Sequence, residues 1–339
     1  MIDRRAALGV MGAAMATAAS PFPALAASPA KPPRLRIGDT VGLVAPASAV
    51  TLPYELDRAQ HWIRGMGLVP KLGRHVDDRN GYLAGADVDR AADVSAMFAD
   101  AEVRAIFAVR GGWGGARILP LLDWQAIRAN PKLLIGYSDT TALHLAIAQR
   151  AGFATIHGPN GASRWEKASW ESLWRLAFTG EMPVLGGAEA EGEVGRPGRT
   201  IAGGIAQGRL LGGNLTILST LMGTPWLPDM GGAILFLEDV NEAVYRVDRM
   251  LQQLRLAGVL DRVAGVVFGQ CTRCDAEDQE QASVTLDQIL DHHLGGLGVP
   301  VFTGANIGHI TNQLSLPHGI RVELDADART LRLLEPLVA

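Results

Sequence analysis

The apolar run Leu133–Gly136 ends in Tyr137-Ser138-Asp139-Thr140-Thr141. A serine on a sharp turn between a buried strand and a helix holds its hydroxyl up at the rim of a sheet. The following backbone N–H and the helix N-terminus can then stabilise an oxyanion. Ser138 is therefore a candidate nucleophile, although the usual G-x-S-x-G is missing. Ser, Asp and Thr are also favoured helix N-caps, so a structural role for the stretch competes. A serine nucleophile needs a base, usually a histidine held by a carboxylate. Of the eight histidines, His61 and His144 fall inside helical patterns, where packing explains them. His292 and His293 end another helix, where positive charge suits the dipole. His157 and His309 each end an apolar run and can face a cleft; the residues alone leave both open. Glu238 and Asp239 close the run 233–237. Two acids ending a buried strand are costly unless they face a cleft or find partners. A catalytic carboxylate and a salt bridge to Arg246 or Arg249 are both open readings.

Two further clusters invite chemistry. Arg110-Gly111-Gly112-Trp113-Gly114-Gly115 lacks both the Gly-Lys-Ser/Thr of a P-loop and the G-x-G-x-x-G order, so a nucleotide is not expected. Its backbone can offer N–H groups to an oxyanion, or it is a plain tight turn. Cys271-Thr272-Arg273-Cys274 is a lone C-x-x-C. Without a second ligand pair it is a poor zinc site, but in an oxidising compartment it can close a small disulfide. H-E-x-x-H is missing as well, so no metal is expected.

The elements that must position these groups alternate. Strands are expected over 41–45, 105–109 and 133–136, and helices over 55–66, 87–98 and 142–150. The second of these helices opens with acidic residues, as a helix N-terminus favours. Such alternation implies a parallel sheet covered on both faces, with ligands bound beyond the carboxyl ends of its strands. The Arg110 and Ser138 loops both fall there. Residues 159–208 have weak periodicity and read as a linker with a short helix near 170–178. A second α/β domain then begins near Leu210. It has strands over 233–237, 263–268 and 299–307, and a helix whose stripe is Val244, Val247, Met250, Leu251 and Leu254. A further helix covers 284–294, and a hairpin over 320–333 turns at Asp325-Ala326-Asp327.

Composition bounds the function. The chain has 339 residues, 48% hydrophobic and 19% charged, which is a globular composition with room for about two domains. Its net charge of −4 argues against a nucleic-acid or anionic-membrane binder, and two cysteines cannot build a disulfide scaffold. Arg4-Arg5 precede an Ala/Gly/Met-rich stretch over 6–19, followed by Pro21, Pro23 and Ala24-Leu25-Ala26. This order resembles a twin-arginine export signal, with Ala7 where Phe is usual. The stretch is shorter than the ~20 residues that span a bilayer. The expectation is cleavage near Ala26 and an exported or periplasmic protein without stable membrane insertion, cytoplasmic if the signal does not function.

Several longer motifs point one way. VGLVAPAS from Val41, VRGGWGGARILPLLD from Val109, KLLIGYSDTTALH from Lys132 and IHGP from Ile156 occur in that order. GRLLGGNLTILSTLMGTP, AILFLEDVNEAVYRVDRMLQQLRLAGVL and NIGHITNQLSLPHG follow. Together, from Leu35 onward, the chain resembles the LD-carboxypeptidases. This serine peptidase family includes muramoyltetrapeptide carboxypeptidase and the microcin C immunity peptidase. The resemblance implies an α/β fold with an N-terminal flavodoxin-like parallel-sheet domain and a C-terminal α/β domain with a barrel-like sheet. The division would be a signal and linker over 1–30, a nucleophile domain over 35–158, a linker over 159–208, and a domain carrying acid and base over 209–339. It implies Ser138 as nucleophile, Glu238 as orienting acid and His309 as base, so that it chooses His309 over His157. The backbone N–H groups of Gly112 and Asp139 would form the oxyanion hole. No cofactor is implied; the implied partners are a murein tetrapeptide that loses its terminal D-alanine and a second copy of the chain in a homodimer. A carboxypeptidase must also bind a free carboxylate, and Arg110 is placed to do so, with Trp113 and Tyr137 as possible walls. The alternatives are action on another peptidyl or acylated compound, or a non-catalytic exported peptide-binding protein.

Overall fold

The computed structural model describes residues 31–187, 195–274 and 284–339; the twin-arginine-like segment lies outside the described residues. The first half runs β1 (Thr40–Val44), α1 (Tyr54–Gly65), β2 (Val69–Leu72), α2 (Asp87–Ala99), β3 (Val103–Ala108), α3 (Gly115–Ile118), α4 (Trp124–Ala129), β4 (Leu133–Gly136), α5 (Thr141–Arg150) and β5 (Thr155–His157). β1, β3 and β4 are apolar almost throughout and buried on both faces, which is what a parallel sheet between layers requires. They pair in the order β2-β1-β3-β4-β5, all parallel. In this flavodoxin-like order the chain switches direction between β1 and β3. The loops after those two strands therefore open a crevice at the carboxyl ends.

The second half runs α6 (Lys167–Trp174), β6 (Val184–Gly186), β7 (Arg199–Ala202), β8 (Ile205–Asn214), α7 (Leu215–Thr220), β9 (Ile234–Val240), α8 (Val244–Leu256), β10 (Gly265–Thr272), α9 (Leu286–Leu294), β11 (Val301–Thr303), β12 (Leu316–His318), β13 (Arg321–Asp325) and β14 (Thr330–Leu333). Eight of these strands form a sheet in the order β6-β14-β13-β8-β9-β10-β11-β7, curled into a half-barrel. β8 to β11 are parallel, and the remaining pairs are antiparallel. The expected hairpin near Asp325 is β13 and β14. The stretch read as a linker supplies α6 and both end strands of this sheet. β6 and β7 are three and four residues long and largely half-exposed, too short for a two-residue period to register.

The two sheets are not separate bodies. β12 leaves the second half and pairs antiparallel with β5, extending the first sheet. One hydrophobic cluster joins Val44, Ile106 and Leu134 to Leu211, Leu235 and Val266. The other joins Leu43, Phe107 and Ile135 to Phe236, Val267 and Leu324. α5 lies between the layers. Its residues from Thr141 to Ala148 are all buried, as a helix with apolar residues on every face must be. The Asn214 N–H donates to Thr141 Oγ1 at 3.0 Å, tying the start of α5 to the end of β8.

Candidate active site

Ser138 has φ 64°, in the left-handed region that non-glycine residues rarely occupy. This turn lifts its side chain off the sheet edge just before α5. The flanking residues are pinned. The Tyr137 N–H donates to Asn160 Oδ1 at 3.1 Å, and Asn160 is buried. His144 on α5 donates from Nε2 to the Gly136 carbonyl at 2.9 Å and accepts the Thr155 hydroxyl at Nδ1 at 2.8 Å. Burial pulls the His144 pKa down to about 3, so this buttress stays neutral.

The glycine-rich loop comes up beside the elbow. The Ser48 N–H donates to the Gly111 carbonyl at 3.2 Å, and the Trp113 N–H donates to Ser48 Oγ at 3.0 Å. Arg90, almost wholly buried, bonds the carbonyls of Pro46 and Gly114 and so laces together the loops after β1 and β3. The Gly115 N–H donates to Asp139 Oδ2 at 2.6 Å. Burial pushes the Asp139 pKa up to about 6, against the Gly115 N–H and the Arg90 charge. Gly111 lies so close that a Cβ there would stand 2.8 Å from Ser138 Cβ. The Asp139 backbone follows Ser138 directly, and Gly112 lines the same cleft.

The other wall comes from the curled sheet. Glu238, at the end of β9, is completely buried. His309, beyond β11, donates from Nδ1 to Glu238 Oε2 at 2.7 Å. A carboxylate only accepts, so this bond fixes the tautomer and leaves Nε2 as the ring's acceptor. Burial alone would raise the Glu238 pKa, but the charge and hydrogen bond of His309, with His157 nearby, hold it below the usual range. Burial alone would lower His309, but the Glu238 charge and hydrogen bond outweigh it and leave the imidazole above its ordinary value. Gly308 has φ 106°, and a Cβ there would stand 2.5 Å from Glu238 Oε2; any side chain would push the pair apart.

Ser138 and His309 line one cleft of about 220 Å³, together with Tyr137, Arg110, Gly112 and Asn160. The Tyr137 and His309 rings stand 4.7 Å apart. Among the described residues the Ser138 hydroxyl makes no hydrogen bond, so it can rotate toward an incoming group. A larger groove, about 740 Å³, runs past Trp170, Trp174 and Val184 and holds none of these residues. His75, Asp78 and Asp89 offer ligand atoms within 4.8 Å of one another, enough to hold a cation, but none of them lines the cleft.

The structure separates residues that the sequence leaves equivalent. His157 is fully buried behind the cleft, edge-on to Phe236 at 5.1 Å, with neither ring nitrogen partnered among the described residues. Burial pulls its pKa down to about 4. Asp239 does not meet Arg246 or Arg249. It accepts from Asn214 Nδ2 at 2.9 Å and from the Thr216 N–H and hydroxyl at 2.9 and 2.8 Å, fixing the start of α7. Arg246 pairs with Glu242 at 2.5 Å, and Arg249 stacks on Tyr245. Arg110 lines the cleft, but its Nη1 bonds the Ala49 carbonyl, Thr51 Oγ1 and Glu55. Trp113 is 39% exposed and lies outside the residues that line the cleft. Cys271 and Cys274 form a disulfide. Sequence reasoning missed Ser48, Arg90, Asn160 and Gly308. Asn160 stands one residue past the IHGP motif, the one signal that pointed to it.

An α/β serine-type hydrolase is the class that this fold and site define. The LD-carboxypeptidase N-terminal domain family matches residues 41–158, and the LD-carboxypeptidase C-terminal domain family matches residues 207–324. The chain therefore belongs to the LD-carboxypeptidase family and is a serine-type carboxypeptidase. A probable murein peptide carboxypeptidase of Bacillus subtilis is 36% identical over 311 residues, covering 88% of this chain and 93% of the relative. A murein tetrapeptide carboxypeptidase of Pseudomonas aeruginosa is 32% identical over 309 residues, covering 86% and 94%. The wild-type apo structure of the microcin C7 self-immunity protein MccF superposes with a TM-score of 0.81 at 26% identity, covering 92% of this chain and all of that one.

Proposed function

We propose that this carboxypeptidase removes the terminal D-alanine of murein tetrapeptides, with Ser138 as nucleophile, His309 as base and Glu238 as orienting acid. The observation that carries the reading is the His309–Glu238 bond at 2.7 Å, facing the same cleft as a serine on a strained elbow. His309 Nε2 takes the Ser138 proton as Oγ attacks the carbonyl before D-alanine. The N–H groups of Gly112 and Asp139 receive the oxyanion, and His309 returns the proton to the departing amine. Water then enters and the same base activates it, releasing the shortened peptide. Glu238 stabilises the imidazolium at each transfer. Arg110 keeps Nε and Nη2 without partners among the described residues, and these can donate to the substrate carboxylate although Glu55 shares its charge.

Murein peptide names among the relatives support this substrate. Similarity to MccF over 92% of the chain favours a second reading, action on another peptidyl or acylated compound. Incubation with a murein tetrapeptide is expected to release D-alanine, and Ser138→Ala is expected to abolish release. Turnover retained in that variant would reject the nucleophile. No release by the wild type would turn attention to aminoacyl conjugates.

We propose export by the segment with Arg4 and Arg5. A Cys271–Cys274 disulfide suits an oxidising compartment. N-terminal sequencing of periplasmic protein is expected to begin near Ala27, and an intact Met1 there would contradict cleavage. We also propose a homodimer, tested by sedimentation, and a division into a nucleophile domain over 35–158 and a domain carrying acid and base over 209–339.

A further inference from the structure

Resting on that catalytic reading, we propose that the disulfide-closed turn Cys271-Thr272-Arg273-Cys274 is a positioning clamp for the His309 base, with Thr272 as the residue that acts on it. The loop carrying His309 is stitched along the end of β10 at alternate residues. The Gly304 N–H donates to the Phe268 carbonyl at 2.8 Å, and the Gln270 N–H donates to the Ile307 carbonyl at 3.0 Å. The Thr272 hydroxyl then donates to the carbonyl of His309 itself at 2.9 Å. This last bond lies beyond the regular pairing of β10 with β11, which ends at Phe268–Thr303. On that side the strand pairing has ended, while on the other Thr272, the last residue of β10, still pairs with Val240 of β9.

A disulfide adds a second support just past that strand end. Its two sulfurs close a four-residue turn around Thr272 and Arg273, and Cys274 and Cys271 are buried in the core at 0% and 4% exposure. The same turn is tied to the strand that carries Glu238. The Asn241 N–H donates to the Thr272 carbonyl at 2.9 Å, and Arg273 Nε donates to Asn241 Oδ1 at 2.7 Å. One small loop thus holds the backbone of the base and the strand end of its carboxylate partner. The side-chain pair at 2.7 Å sits between those two anchors. A hydroxyl and a cross-link at this place are accounted for by positioning; neither lines the cleft.

The test uses Thr272→Val and Thr272→Ser in the full protein, with two readouts. One is D-alanine release from a murein tetrapeptide. The other is the rate at which a fluorophosphonate labels Ser138, where the serine oxygen bonds phosphorus and fluoride leaves, a reaction that needs the base but not the natural substrate. Thr272→Val is expected to lower kcat and the labelling rate about ten-fold with KM within about two-fold, and Thr272→Ser to restore both. The titratable and charged groups around His309 are Glu238, Tyr137, Arg273 and His157, with Asp239 on the opposite face of β9 acting only through its charge. With the Glu238 contact loosened, the acid limb of the labelling profile is expected to move to lower pH. The double variant Cys271→Ala/Cys274→Ala, checked for folding by thermal melting, is expected to reproduce the valine phenotype. Wild-type labelling rates in both the folded double variant and Thr272→Val would overturn the clamp. If the wild type is labelled but releases no D-alanine, the substrate reading fails and the clamp is still judged by labelling. If the wild type is not labelled at all, the serine reading fails and the clamp falls with it.

Discussion

The two walls of the cleft are built by different means. On the nucleophile side, position is set by backbone: a strained φ at Ser138, a glycine in contact with it, and a carboxamide on the preceding N–H. On the base side, position is set by charge: an imidazole above its ordinary pKa against a buried carboxylate below its own. The first wall should resist pH and fail when volume is added. The second should tolerate little change in charge and should set the pH dependence.

The largest expected effect breaks the charged wall. Glu238→Gln keeps the shape but removes the charge and brings an NH2 donor that can face His309 Nδ1, so the tautomer is no longer fixed, and kcat is expected to fall by about 10³- to 10⁴-fold. A fall of less than ten-fold in steady-state D-alanine release would show that His309 is not oriented by this carboxylate. Next comes the backbone wall. Gly111→Ala places a methyl group against Ser138 and is expected to lower kcat about 100-fold. The two variants should separate by pH. His309 must be neutral to accept a proton, so kcat/KM is expected to fall as pH drops through a value above 6.5. Gly111→Ala should keep that limb, whereas Glu238→Gln should move it down; a limb unchanged in both would take the titration away from His309.

The smallest effect concerns stability. The folded state holds His157 at about 4, below the unfolded value, so its contribution is present above pH 6.5 and is lost as pH falls toward 4. Urea unfolding across that window should show His157→Gln losing less stability than the wild type on acidification. Parallel curves for the two proteins would contradict the assignment.

Much of the backbone wall is legible in the sequence, because its causes are local. Leu133–Gly136 is apolar throughout, the turn Tyr137-Ser138-Asp139-Thr140 follows, and α5 starts at once, although none of those side chains caps it and Asp139 accepts from the Gly115 N–H instead. The charged wall is less legible. His157 and His309 both close apolar runs, and it takes distant partners, β12 laid antiparallel on β5 and Phe236 of β9, to bury His157. Likewise, Glu238 and Asp239 are adjacent in sequence, yet alternation along β9 sends them to different partners. Thr272 and Asn160 act by touching residues 37 and 23 positions away, and no local spacing reports that.

The return of β12 to the first sheet also limits how this architecture can be recombined. A chimera joined in the middle of the chain would give one parent's opening sheet a foreign edge strand. Crossovers that leave β5 and β12 from the same ancestor should express, and those that divide them should be lost to proteolysis.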